Sequence, residues 1–183
     1  MPVRRSAAEA IPADEVAATR IFDAPRALVF EVWTKAEHFA RWFGPFGAEV
    51  VSCEIDPRPG GVIRFGHRFG DGTTLHLIGT YREVIQDERL VFTLGFIDEY
   101  GRPRGHPMFV DWPLDVVIQT TVVLESVDGG TRVTVGHQVT PPEAASHTAV
   151  RRWGELAREG WAQVFTRLGE HLLACLEKKG PRA

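Results

Sequence analysis

RRWGELAREGWAQVFTRLGEHLLACLEK, residues 151–178, is the stretch on which the fold turns. Trp161, Phe165, Leu168, Leu172 and Leu176 recur at i, i+4 and i+7 with polar residues opposite, so the spacing predicts one long helix with a single apolar stripe. Trp153, Leu156 and Val164 widen the stripe, and Gly180-Pro181 ends the helix because proline cannot continue one. A stripe this long has to be buried against a broad apolar face. The residues before it should build that face.

They do so with a different period. From residue 48 apolar residues alternate: AEVVSCEID (48–56), turn PRPGG, VIRFGHRF (62–69), turn GDGT, TLHLIGTYREVI (74–85), turn QDE, then RLVFTLGF (89–96). That pattern is a four-strand antiparallel meander. Ile63, Phe65, His67 and Phe69 share its inward face, with Arg64, Gly66 and Arg68 on the other. Residues 97–114 break the alternation with three prolines and two glycines, a connection long enough to suggest a functional loop. DVVIQTTVVLESV (115–127) and TRVTVGHQVT (131–140) then flank the hairpin signal Asp128-Gly129. Val116, Ile118, Val122 and Leu124 face inward on the first of these strands, and Val133, Val135, His137 and Val139 on the second.

Upstream, EVAATRIF (15–22) reads as a first strand. Asp23 stands where it could cap a helix with Pro25 in its first turn, presenting Leu28, Val29, Val32 and Trp33 on one face. Lys35 ends that helix. A second short one, 36–43, carries Phe39, Trp42 and Phe43 and stops at Gly44-Pro45. The expectation is an α+β domain over 15–178: a curved seven-stranded antiparallel sheet around the long C-terminal helix, with two short helices after strand 1. Residues 1–14 read as a flexible leader and 179–183 as a tail.

Composition excludes several function classes. The 183 residues suit one domain, and a net charge of −3 without basic runs offers no attraction to nucleic acid or an anionic membrane. No apolar run approaches the ~20 residues that span a bilayer. The start, MPVRRSAAEAIPADE, lacks the apolar core of a signal peptide, so the cytoplasm is the expected compartment. Cys53 and Cys175 read as reduced, buried residues. No HxH, HExxH or His/carboxylate spacing places ligands together, so neither metal nor cofactor is expected; His38, His147 and His171 read as exposed. PRPGG and GDGT are hairpin turns rather than phosphate cradles, and without a GxSxG motif no catalytic residue can be named.

His67 and His137 stand apart, because each interrupts an apolar inward face. Each is either a satisfied core histidine or a polar handle in an apolar pocket, with general acid/base chemistry a further option. Trp33, Trp42, Trp161 and Phe165 fill the helix–sheet seam or wall a cavity within it. Trp33, Trp42 and Phe43 are expected to meet Phe65 and Phe69 near one mouth of such a cavity. Tyr81 is a cavity donor or a strand former. Trp112, in the irregular loop, must dock on something, as a lid or an interface.

DAPRALVFEVWTKAEHFARWFGP, PRPGGVIRFGHRFGDG, GTYREVIQDERLVFT, DGGTRVTVGHQV and GWAQVFTRLGEHL, in order and in register, resemble the activator of heat-shock-protein-90 ATPase homologue-like family, within the START-related SRPBCC helix-grip superfamily. The resemblance covers about residues 15–178. It implies a helix-grip (START-like) fold with a cavity between helix and sheet. Three functions are consistent with it. One is binding of a small hydrophobic or amphipathic molecule. Another is a cyclase- or hydrolase-like activity on an aromatic or polyketide-like ligand. The last is a chaperone-interacting module, although the chain is too short for the two-domain eukaryotic activator. The protein is expected to act as a monomer or homodimer.

Overall fold

The structure, a computed structural model, describes residues 11–178 and 180. Of the expected leader and tail, residues 1–10, 179 and 181–183 lie outside the described residues. Strand β1 (Val16–Phe22) leads into helices α1 (Arg26–Thr34) and α2 (Ala36–Trp42). Strands β2 (Glu49–Ile55), β3 (Val62–Arg68), β4 (Thr74–Ile85), β5 (Arg89–Ile97), β6 (Val117–Val127) and β7 (Gly130–Thr140) follow, and helix α3 (Thr148–Lys178) closes the chain. The strands form one seven-stranded sheet in the order β1-β7-β6-β5-β4-β3-β2. Every pairing is antiparallel. The sheet curls into a half-barrel and grips α3, which is the expected helix-grip architecture.

Helix α3 buries the stripe that its sequence predicts. Trp161, Val164, Phe165, Leu168 and Leu172 are buried, and Leu168 has no exposed surface. The stripe finishes on Cys175, with Leu176 half-buried. The helix begins three residues earlier than its apolar spacing implies. His147 explains this: its Nδ1 accepts the Ala149 N–H at 3.3 Å, while its backbone carbonyl accepts from the Arg151 N–H at 3.0 Å. That imidazole serves as a helix cap and is half-buried rather than exposed.

Asp23 makes no cap. Pro25 itself occupies the N-cap position of α1, and no side chain bonds the free N–H groups there. The two short helices are tied to the body elsewhere. The Trp42 indole N–H donates to the Val32 carbonyl at 3.0 Å, closing α2 onto α1. Arg167 of α3 donates from Nη1 to the carbonyls of Gly44 and Ala48, both at 2.9 Å, so the helix clamps the turn that leads into β2.

The sheet curls where backbones approach closely. A Cβ at Gly79 on β4 would collide with the Thr93 carbonyl of β5, and just beyond it the pairing slips between Tyr81 and Glu83. Only glycine permits that approach.

Leu168→Ala removes the centre of the buried stripe, so it should lower unfolding stability by about 2–5 kcal/mol in urea denaturation. A loss under about 0.5 kcal/mol, the level of a surface change, would mean that the stripe is not the seam.

Candidate functional site

A cavity of about 320 Å³ lies between α3 and the sheet. Its walls follow from strand parity. Phe65 and His67 of β3, Leu75 and Leu77 of β4, Phe92, Leu94 and Phe96 of β5, and Ile118 and Thr120 of β6 all face inward and line it. Trp153, Leu156, Ala157, Gly160, Trp161 and Val164 line it from α3. Phe43, Pro45 and Phe46 cap it from the turn after α2, and His106, Met108 and Phe109 of the 98–116 connection complete the lining. Gly160 lets the helix pass under the first cap, since a Cβ there would sit 3.1 Å from Pro45.

The polar groups on this apolar wall are few, and their hydrogen-bond roles can be deduced. The Trp161 indole N–H donates to His137 Nε2 at 2.7 Å. Indole nitrogen only donates, so Nε2 carries a lone pair and the proton of the neutral ring sits on Nδ1. Nδ1 therefore donates to Thr120 Oγ1 at 3.1 Å, which leaves the Thr120 hydroxyl hydrogen free to point at a ligand. Burial, aided by nearby Arg158, pushes the His137 pKa down to about 4.

His67 is 4% exposed, and its Nε2 is buried without a partner. Burial lowers its pKa to about 4 and Arg167 adds to that, while a hydrogen bond to the Phe43 backbone opposes it. His67 Nε2 is therefore a buried ring nitrogen left without a partner at the cavity. His106 accepts the Met108 N–H through Nδ1 at 3.1 Å, and burial pushes its pKa to about 4 as well. Three neutral imidazoles thus border an apolar space.

The candidate residues divide between cavity and core. Phe43, Phe65, His67, Phe69, His137 and Trp161 line the cavity. Trp33, Trp42, Tyr81, Trp112 and Phe165 do not; all five are buried in solid packing. Trp33 and Trp42 meet each other with ring centroids 4.7 Å apart, and Trp33 backs Trp161 at 6.0 Å. They reach Phe65 only through Phe39 and Phe43, at 5.4 and 5.3 Å. Tyr81 packs on Phe92 at 5.6 Å, and burial raises its pKa. Trp112 docks on Phe96 at 5.1 Å and on Trp153 at 6.0 Å, making it the anchor of the 98–116 connection. Thr120 and His106 escaped the sequence reading. Thr120 could have been found by register, since it lies between Ile118 and Val122 on the inward parity; His106 had no periodic signal.

A larger hollow of about 470 Å³ opens on the far side of His137 and Trp153, bordered by Asp14, Glu15, Arg151, Glu155 and Arg158. Its charged rim suits solvent, whereas the smaller cavity combines an apolar wall with an unsatisfied polar atom. The latter is the better candidate site.

Comparison with known proteins places the architecture. The family model described as Activator of Hsp90 ATPase homolog 1-like protein matches residues 23–173. A solved structure of a Nitrosomonas europaea protein shares 25% identity and a TM-score of 0.68, covering 90% of this chain and 97% of that one. An Arthrobacter aurescens protein is 23% identical with a TM-score of 0.68, over 85% of this chain and 84% of its own. The AHSA1 protein of Silicibacter pomeroyi is 20% identical with a TM-score of 0.64, over 86% and 96%. At the two lower identities the likeness is one of fold alone. Among curated proteins nothing matches.

The buried imidazoles carry a pH signature. Unfolded, each takes up its proton near pH 6.5; in the native protein His67, His106 and His137 stay neutral until about pH 4. Between those values the unfolded chain binds more protons, so stability is complete above about pH 6.5 and falls as pH drops toward 4. Each imidazole contributes up to about 1.4 kcal/mol per pH unit. Urea midpoints measured from about pH 7.5 to about pH 5 should fall, and His67→Phe should make the fall shallower. A midpoint independent of pH over that range would contradict the buried neutral rings.

Proposed function

The chain belongs to the Activator of Hsp90 ATPase homolog 1-like family, and we propose that this START-like domain binds a small, uncharged, largely apolar molecule in the cavity between α3 and the sheet. The observation that carries the reading is His67 Nε2: a buried ring nitrogen without a protein partner, on a wall built mostly of aromatic and aliphatic side chains. Leaving such an atom unpaired costs about 1–3 kcal/mol, and a hydrogen-bonding group of a ligand would recover that loss. The Thr120 hydroxyl offers a donor. A volume of about 320 Å³ is at the small end for ligand sites, which suits a compact ring system better than a long acyl chain.

The same groups argue against acid/base turnover. With His67 and His137 held near pKa 4, neither is matched to proton transfer at neutral pH, and both His137 nitrogens are already engaged. Binding and orientation are what such groups do best.

N-phenylnaphthylamine, a compact two-part aromatic amine with one N–H, is a suitable fluorescent probe. We expect saturable enhancement at one probe per chain. Ala157→Trp, which fills the cavity, should weaken binding more than about tenfold, equivalent to about 1.4 kcal/mol. His67→Ala should weaken it by about 1–3 kcal/mol. Near-ultraviolet circular dichroism confirms that each variant remains folded. Absence of saturable binding, or binding indifferent to Ala157→Trp, would overturn the proposal. Native mass spectrometry of gently purified protein adds a second readout, with a retained small molecule expected and a co-purifying chaperone counting for the interaction module.

A further inference from the structure

Where α2 meets α3, at positions that do not line the cavity, three metal-ligating side chains converge. His38 Nδ1 stands 2.9 Å from His171 Nε2. Cys175 Sγ lies 3.6 Å from that His171 nitrogen and 3.9 Å from the His38 nitrogen. All three donor atoms fall within 4.8 Å of one another. Helical geometry accounts for half of this: His171 and Cys175 are four residues apart on α3 and share a face. Packing of α2 onto α3 brings His38 over them. No metal-ligand spacing in the sequence signals this cluster, because the third ligand arrives through tertiary structure.

From this convergence we propose that His38, His171 and Cys175 form a binding site for one thiophilic d¹⁰ cation, Zn²⁺ or Cu⁺. The bond lengths favour it. With Zn–N of about 2.0–2.1 Å and Zn–S of about 2.3 Å at tetrahedral angles, ligand atoms sit roughly 3.4 Å (N to N) and 3.6 Å (N to S) apart. The observed separations need changes of only a few tenths of an ångström. Donor softness agrees, since one thiolate with two imidazoles selects Zn²⁺ or copper over hard cations such as Mg²⁺ and Ca²⁺. Cys175 is buried while both histidines are half-buried, so the thiol is shielded and a fourth position stays reachable for water or a ligand. Binding is balanced by release of the Cys175 thiol proton, and the proton between the two rings moves to the outer nitrogen of the ring that donates it, the other ring already carrying its proton there. Arg41 and Lys178 lie close to His171. The single thiolate makes the Cu⁺ complex neutral and the Zn²⁺ complex singly positive, so these cations disfavour the divalent ion more.

The competing account is a plain His38–His171 hydrogen bond with Cys175 as a bystander, and spectroscopy separates the two. Chelator-treated, reduced full-length protein is titrated with Co²⁺ as a reporter for Zn²⁺, and separately with Zn²⁺ or Cu⁺ against a chromophoric chelator. We expect one equivalent bound, and a thiolate-to-Co²⁺ charge-transfer band that disappears in Cys175→Ser. His38→Ala and His171→Ala should each weaken binding by more than about tenfold, at least the loss that follows removal of a supporting partner. Cys53→Ser is the control. Its thiol lies on β2, and burial pushes its pKa up to about 11, so it should leave band and affinity unchanged. Should Cys175→Ser unfold, the two half-buried histidine variants still decide the matter. Failure of all three ions to bind at one equivalent, a band that survives Cys175→Ser, or affinity indifferent to both histidine variants would overturn the site. Dependence on Zn²⁺ alone or Cu⁺ alone identifies the ion.

Discussion

Everything in this protein depends on hiding one face of α3. A helix with a single apolar stripe gains most of its stability from the surface it packs on rather than from its own propensity. The curled sheet supplies that surface, and Leu168 and Leu172 are buried in the seam. Arg167 holds the same helix from its polar side by gripping the carbonyls of Gly44 and Ala48. Because the helix must be gripped along its length, the sheet has to bend, and the close approach at Gly79 is one place where it does.

The grip is not uniformly tight. Around Leu168 the seam is solid, whereas between Gly160 and the inward residues of β3–β6 it leaves a cavity. The difference has a local cause. Trp33 stacks behind Trp161, with Trp42 edge-on to Trp33, while Trp161 bonds His137, so the aromatic mass supports the cavity wall rather than filling the space. Trp112 does the same elsewhere, pinning an irregular connection that would otherwise cover nothing in particular. Buried tryptophans that never touch the cavity thus define its shape. One of them, Trp33, keeps its own indole N–H unpaired, a cost that accompanies this dense aromatic packing.

Parity in the strands and spacing in the helix made half of the candidate residues legible. His67 and His137 were visible because a polar residue on an apolar face contradicts its neighbours. The candidates for which the sequence leaves wall and filling open and which the structure packs in the core, Trp33, Trp42, Tyr81, Trp112 and Phe165, share one property. Each lies on an inward or docked position, and periodicity distinguishes inside from outside but not wall from filling. His106 was invisible for the opposite reason: its connection has no period at all.

Local chemistry alone determined the elements, their order and the helix–sheet partnership, because alternation, hairpin turns and a helical stripe are all properties of neighbouring residues. Even the extra turn at the start of α3 is a local event, set by the imidazole of His147. What tertiary structure decided were the meetings between residues far apart in the chain. Trp161 reaches His137 across 24 residues, and His38 reaches His171 across 133. Such contacts depend on the curl of the sheet and the angle at which α2 lies on α3. Those follow from the packing of the whole core, which no window of sequence contains.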